Sequence, residues 1–261
     1  MLRKLHDLKG FTVQGKKEKL GEIDDFYFDQ DHLVLRYLVL DTGSWLKHET
    51  NLISTHSVLE INFDQKMVKV DIEKSQLEDS PSLAKNKPIS QLEEKRIVEY
   101  FDWPGYWSEH HASDSEFIHA GLQQRKKLLD IKALDAEKAA EKNAAAEKQS
   151  NLRSLEEVTG YKIHAQDEKF GHLEDIFVDE ENWLIRYFLI DTKDHIPGKS
   201  VLIAPEWIDS ISWQGAEIFV DKDKKEIENA PEYEQPADQK LISRGYEDLL
   251  YDHYNHHKYW L

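Results

Sequence analysis

Cysteine is absent from the 261-residue chain. The protein therefore has no disulfide, no thiolate nucleophile and no cysteine-ligated metal site. Such an absence is compatible with a reducing compartment, where disulfides are rare. Together with the lack of a targeting segment described next, it leads us to expect a cytoplasmic protein.

Long apolar runs are also missing. The longest, Leu33–Leu40, is interrupted by Arg36, whereas a membrane-spanning helix needs about 18 or more predominantly apolar residues. The first ten residues lack the apolar centre of a signal peptide. The sequence predicts no transmembrane segment, and nothing in it supports a peripheral association with membranes.

Basic residues are scarce, with 34 Lys and Arg against 51 Asp and Glu, so the net charge is −17. Residues 1–111 carry 15 basic and 20 acidic side chains, and residues 151–261 carry 12 and 24. Nucleic-acid binding depends on neutralising phosphates with Lys and Arg. We therefore expect no nucleic-acid partner and favour a protein partner with a neutral or basic surface.

A duplication is the strongest pattern that is present. Residues 2–82 align with residues 152–232 at a constant offset of 150, without a gap. In the clearest stretch, Gly21–Thr42 against Gly171–Thr192, seven of 22 positions are identical. A repeat of this length is a domain and not a solenoid unit. The sequence therefore predicts two domains of one kind.

Each repeat has the pattern of short strands separated by turns, which is typical of a small barrel or sandwich. The strand Leu33–Leu40 is apolar on both faces, so we expect both faces to be covered. Gly21 is expected to supply a positive φ in a turn. The other strands predicted within the repeats are Phe11–Gln14, Glu22–Asp29, Asn51–Ser54, Val58–Phe63, Met67–Ile72, Trp183–Ile190, Val201–Ala204, Ile208–Trp213 and Glu217–Val220.

Helical segments are predicted after and between the repeats. Tails at Ile89–Phe101 and Ile242–Tyr254 align at an offset of 153. Between the repeats, residues 112–150 lack proline and contain one glycine, which predicts a helix of about 35 residues. It is interpreted either as a semi-rigid spacer or as a coiled-coil face. The predicted domains are 1–111, the linker 112–150, and 151–261.

Catalytic motifs are not found: GxSxG, a P-loop, GxGxxG and HExxH are all missing. The aspartates Asp24, Asp25, Asp29 and Asp31 do not fit an EF-hand and are interpreted as solvated strand ends. The pair His253 and His257 is interpreted as surface histidines, since zinc needs more ligands. We predict a non-enzymatic protein with no catalytic, cofactor-binding or metal-binding residue and no cofactor.

Arg36 and Arg186 lie at equivalent positions inside apolar strands. A buried guanidinium needs a carboxylate or carbonyl partner. We expect a structural ion pair in each repeat, and a site for an anionic ligand is the alternative.

The aromatic ends of the two tails are the candidate partner-binding residues, since Trp and Tyr dominate interface hot spots. The alternative is that they pack against their own barrel. The candidates are Trp103, Tyr106, Trp107, Tyr254, Tyr259 and Trp260.

The repeats resemble the PRC-barrel domain, which is named for the soluble part of the photosynthetic reaction-centre H subunit. The resemblance rests on a Gly turn, an acidic strand, Arg-Tyr followed by apolar residues and Asp-Thr, and a Leu-Ile strand, in Leu20–Ser54 and Phe170–Ile208. It implies small β-barrels that serve binding and assembly, and it transfers no functional residue.

The predicted fold is thus mainly β: two small PRC-like β-barrels, each with a C-terminal helical tail, joined by a long α-helix. The predicted function is a non-enzymatic protein-binding scaffold or adaptor, with an unidentified protein partner. Pairing of the barrels within one chain, or a homodimer, is also considered. The alternative function is an accessory protein of a membrane electron-transport complex that resembles the photosynthetic reaction centre.

Overall fold

The computed structural model describes residues 1–43, 46, 50–81, 83, 89–105, 151–192, 199–233 and 242–260. We call residues 1–105 the first half and residues 151–260 the second half. The predicted linker helix, Tyr106 and Trp107 lie outside the described residues. The domain boundaries at 111 and 150 stay a prediction for the same reason.

The fold is mainly β, as predicted. The first half begins with a short strand, a 3-10 turn at Leu5–Leu8 and a meander of longer strands, and it ends in two helices. Its strands are β1 (Leu2–Lys4), β2 (Thr12–Gln14), β3 (Lys19–Asp29), β4 (Val34–Asp41), β5 (Asn51–Ser54), β6 (Val58–Asn62) and β7 (Met67–Val70), and its helices are α1 (Lys74–Glu78) and α2 (Gln91–Phe101).

The second half repeats this order, with a short helix in place of the first 3-10 turn. Its elements are β8 (Leu152–Ser154), α3 (Leu155–Val158), β9 (Lys162–His164), β10 (Lys169–Asp179), β11 (Ile185–Asp191), β12 (Ser200–Ile203), β13 (Ile208–Ser212), β14 (Glu217–Val220), α4 (Lys224–Glu228) and α5 (Arg244–His253).

The strands form two seven-stranded sheets. Six strands of each sheet lie side by side, in the order β5-β4-β3-β2-β7-β6 in one and β12-β11-β10-β9-β14-β13 in the other, and the seventh pairs off this path. The prediction of closed barrels is wrong for the described strands, because no ladder joins the two ends of either sheet. The edge strands β5 and β6 are nevertheless connected by a three-residue 3-10 turn, Thr55–Ser57. This short connection brings the two edge strands close together at one end of the sheet, although they are not hydrogen-bonded to each other.

The seventh strand of each sheet comes from the other half. Strand β1 pairs with β10, with Leu2 opposite Asp179 and Lys4 opposite Phe177. Strand β8 pairs with β3, with Leu152 opposite Asp29. The two registers differ by the repeat offset of 150, so the exchange is reciprocal. It has the form of an isologous dimer interface built within one chain.

A third contact joins the halves at equivalent residues. Val34 forms an antiparallel bridge with Leu184. Beside it, the Leu35 amide donates to the Trp183 carbonyl at 2.9 Å, and the Ile185 amide donates to the Leu33 carbonyl at 2.8 Å. Residues 34 and 184 correspond at the repeat offset, so the pseudo-twofold axis passes through this bridge.

Backbone conformation repeats as closely as sequence does. In the described part of the chain, non-glycine residues with positive φ come in three equivalent pairs: Leu33 and Trp183, Lys66 and Ala216, Asp102 and Asn255. One apolar cluster includes residues from both halves, among them Leu5, Leu8, Leu155 and Val158. The halves therefore share a core and do not merely touch.

Gly21 and Gly171 are required for close packing and not for a turn. Neither has a positive φ, so the expectation for Gly21 is wrong. Both lie within long strands, where a Cβ would collide with the carbonyl oxygen of Asp41 or Asp191, respectively. Glycine is needed here because the neighbouring backbone approaches too closely for any side chain.

Replacing Gly21 or Gly171 by alanine is expected to destabilise the fold by about 1–3 kcal/mol, as overpacking does. Gly245→Ala is the matched control, because the nearest atom to its added Cβ is 3.9 Å away and alanine is the better helix former. Chemical denaturation of the three variants measures the difference. Wild-type stability for both strand variants would contradict the close approach.

Candidate functional site

Two equivalent buried aspartates hold the segments that follow the exchanged strands. Asp25 Oδ1 accepts a hydrogen bond from the Glu156 amide at 3.1 Å, at the start of α3. Asp175 accepts from the His6 amide at 3.3 Å, at the start of the 3-10 turn. Each carboxyl group thus satisfies an amide of the other half that would otherwise lack a partner. These two junctions are the candidate functional site.

Burial dominates the electrostatics of both carboxyl groups. Only 6% of Asp25 and 2% of Asp175 are exposed. Burial raises the pKa of Asp25 against the bonds from the Phe26 and Glu156 amides. Burial raises the pKa of Asp175 to about 7, against the bonds from Ile176 and His6 and the charge of Lys4. The second-half aspartate thus titrates near neutrality.

A second pair of aspartates forms the expected structural ion pairs. Arg36 Nη2 lies 3.1 Å from Asp29 Oδ2, and Arg186 Nη2 lies 3.4 Å from Asp179 Oδ2. The expectation of an ion pair in each repeat is confirmed. Asp25 and Asp29 are both buried, so their interpretation as solvated strand ends is wrong. They are buried because β8 and α3 of the other half cover this end of β3. Asp24 and Asp31 are exposed, as interpreted.

His32 makes the two ion pairs unequal. Its Nδ1 lies 2.6 Å from Asp29 Oδ2. Burial alone would raise the pKa of Asp29, but the His32 bond and the charges of His32 and Arg36 outweigh it and lower the pKa. The hydrogen bond to Asp29 raises the pKa of His32. A charged imidazole therefore favours the ionised form of Asp29 in the first half.

An arginine on each exchanged strand contacts both halves. The Arg3 guanidinium lies 3.7 Å from the Phe63 ring centroid of its own half, and its Nε donates to Glu180 of the other half at 2.8 Å. Arg153 lies over the Trp213 ring at 5.2 Å and donates to Gln30 at 2.8 Å. Stacking and hydrogen bonding together fix the exchanged strands in register.

Each C-terminal helix is tied to its sheet by a buried tyrosine–glutamate pair. Tyr37 donates to Glu94 at 3.0 Å, and Tyr187 donates to Glu247 at 2.8 Å. Both glutamates have 2% of their area exposed. Arg244 Nη1 adds an ion pair to Glu247 at 2.9 Å, so this buried carboxylate has both hydrogen-bond and charge partners.

The described candidates for partner binding pack within their own halves. Trp103 stacks on Phe101 with ring centroids 4.3 Å apart. Tyr254 is 5% exposed and contacts Trp207 at 4.5 Å. Tyr259 donates to Glu247 at 2.8 Å, and Trp260 packs on Tyr251 at 5.0 Å. These contacts correspond to the alternative interpretation, in which the aromatic ends of the tails pack against their own half. The partner-binding role of these side chains and of Tyr106 and Trp107 stays a prediction.

In both halves an indole ring lies between a 3-10 turn and the C-terminal helical segment. In the first half the ring belongs to the helical segment, and in the second half it belongs to the 3-10 turn. In the first half, the Trp103 Nε1 after α2 donates to Ser57 Oγ in the 3-10 turn at 2.8 Å. In the second half, the equivalent of Ser57 is Trp207, and the equivalent of Trp103 is His256. Their rings lie 5.4 Å apart. A large residue and a smaller one have thus changed places.

Metal binding is not indicated in the described ranges, which contain no cluster of three or more His, Asp and Glu ligands. His253 instead makes a 2.8 Å contact with the Glu226 carbonyl through Nε2. The described helices include none that is long and apolar enough to cross a membrane.

Sequence reasoning missed the exchanged strands and the role of Asp25 and Asp175. The available signal was the shared Leu-Arg pair of Leu2–Arg3 and Leu152–Arg153, which precedes the first predicted strand of each repeat. Both aspartates occupy equivalent positions of the two repeats, but their partners lie 131 and 169 residues away along the chain. No local pattern reveals a partner at such a separation.

Comparison with known families gives one match in the first half. Residues 2–77 match the PRC-barrel domain family. No curated protein matches the chain. The matched segment runs from β1 to α1 and so includes the buried aspartates Asp25 and Asp29. The match supports a PRC-barrel protein.

Proposed function

We propose that the chain is a non-enzymatic protein-binding scaffold or adaptor, built from a PRC-barrel domain at residues 2–77 and a second copy at residues 152–232. The second copy is supported by the equal strand order of the two sheets. The paired positive-φ residues also support it. The alternative role in a membrane electron-transport complex rests on family resemblance alone.

One observation carries the adaptor proposal: the interior is duplicated, whereas the exposed apolar surface is not. The buried pairs Asp25 and Asp175, and Glu94 and Glu247, are retained in both halves. The large exposed apolar residues include Leu59, Leu92, Tyr100 and Leu249. Their equivalents in the other half are Asp209, Gly245, His253 and Arg96.

Different surfaces on one duplicated frame suit a protein that contacts different partners through its two halves. Burial of apolar surface is the dominant favourable term in most protein–protein association, so these exposed apolar side chains are the candidate contact points. The net charge of −17 favours partners with neutral or basic surfaces. The buried carboxylates hold the frame together and are not available at these surfaces.

Crosslinking and affinity capture of the full chain test the proposal with three single substitutions, Leu59→Glu, Leu92→Glu and Leu249→Glu. All three side chains are at least 48% exposed, so the fold should tolerate them. We expect the first-half and second-half variants to lose different captured proteins. An identical set of captured proteins for the wild type and all three variants would sink the adaptor proposal.

A further inference from the structure

The two exchanged strands have equal registers but differ in how the next segment is capped. In the second half, Ser154 Oγ accepts from the Glu157 amide at 2.9 Å and caps α3. In the first half, Lys4 occupies the equivalent position, and the 3-10 turn has no side-chain cap of its own. A Ser cap stabilises a helix start relative to a residue whose side chain offers no acceptor. The first junction therefore depends more on the aspartate from the other half.

Asp175 has weaker support than Asp25. Ser154 gives Asp25 a side-chain hydrogen bond, whereas Lys4 pairs with Asp7 at 3.6 Å. The charged groups that act on Asp175 from the N-terminal segment are Lys4, which attracts its carboxylate, and Asp7, which repels it.

Tyr233 is the titratable group that faces Asp175 from the segment after α4, and burial raises the pKa of Tyr233 to about 12. Tyr233 is therefore neutral near pH 7 and does not compensate the carboxylate.

The sign of the pH effect follows from the direction of the Asp175 shift. Its folded pKa of about 7 lies above the ordinary value of 3.8. A buried carboxyl group with a raised pKa stabilises the folded junction when the group is protonated. This stabilisation is fully present below the ordinary pKa and is lost as the pH rises through the folded pKa. Above that pH, the buried carboxylate is charged beneath the N-terminal segment. Its bond from the Ile176 amide, at 2.8 Å, lies within its own strand, and across the junction it has two long contacts with the His6 amide and the charge of Lys4.

We propose that residues 2–8 form a pH-sensitive latch, whose attachment to β10 weakens as the pH rises through neutrality, while the attachment of the equivalent residues 152–158 changes less. Opening removes β1 from the backbone of Phe177–Asp179 and uncovers Asp175. The inference rests on the junction geometry and is independent of the adaptor proposal. It describes how one of the two strand exchanges responds to its surroundings.

Hydrogen exchange of the full chain, followed by mass spectrometry, tests the latch between about pH 6 and about pH 8. Protection is expressed relative to the unfolded-chain rate at each pH. We expect the protection of residues 2–8 to fall by up to about tenfold across this range, as a folded pKa of about 7 requires when opening restores the ordinary value. Residues 152–158 of the same molecule are the internal control and should change less.

Two substitutions assign the effect to one carboxyl group. Asp175→Asn should remove the pH dependence of residues 2–8, whereas Asp25→Asn should leave it in place. Equal pH dependence of residues 2–8 and 152–158 in the wild type would overturn the latch without any substitution. So would a dependence that persists in folded Asp175→Asn protein.

Discussion

Cutting the chain between residues 112 and 150 is expected to leave the two halves bound to each other. Strands β1 and β8 each pair with the sheet of the other half, and a bridge joins Val34 to Leu184. One apolar cluster contains residues of both halves. A complex with these interactions resembles an obligate interface, which is a core divided between two chains. A protease site inserted after Asn143 and size-exclusion chromatography with light scattering measure the outcome.

The control for this cut is a variant with weakened junctions. Leu2 and Leu152 are each 7% exposed and lie in the exchanged strands. Leu2→Asp with Leu152→Asp places a charge in each junction, at a cost of several kcal/mol unless it is neutralised. We expect the cut variant to separate and the uncut variant to remain one chain of the original mass. Separation of the cut wild type into independent halves would contradict the shared core.

Replacing Trp207 by serine is expected to destabilise the protein by about 3–5 kcal/mol, the usual cost of removing a large core side chain. Trp207 has no exposed area. Its ring lies 5.2 Å from Tyr251 and 4.5 Å from Tyr254. The loss leaves a cavity between α5 and the 3-10 turn Pro205–Trp207, which neighbouring side chains cannot fill without moving. Urea denaturation monitored by circular dichroism gives the change in the free energy of unfolding.

The double variant Trp207→Ser with His256→Trp should recover part of this loss. It rebuilds the first-half arrangement, in which Trp103 donates to Ser57. His256→Trp alone should cost about 1–3 kcal/mol through overpacking, so the two substitutions together should be less harmful than their sum. A coupling of about 1 kcal/mol or more is expected for residues in contact. Additive effects would contradict the view that the halves fill one site from opposite sides.

The sequence determined much of the local structure in both halves. The apolar strand around Leu35 and Leu38 appears as β4, although it begins one residue later than predicted, because Leu33 has a positive φ. The partly buried Arg36 pairs with Asp29, the carboxylate partner that its charge requires. Gly21 was recognised as special, but the reason is a close approach by Asp41. Local periodicity and the cost of burying a charge suffice for such inferences.

Only the tertiary structure decided which sheet receives the first strand of each repeat. Leu2–Lys4 has three residues, too few for a periodic pattern, and its equivalent Leu152–Ser154 is nearly the same in sequence. The two strands present similar hydrogen-bonding groups to β3 and β10, so neither sequence specifies a partner. The choice depends on long-range burial, including that of Leu5 and Leu155 in the shared core. The candidate junction with Asp25 and Asp175 exists only because that choice joins residues more than 130 positions apart.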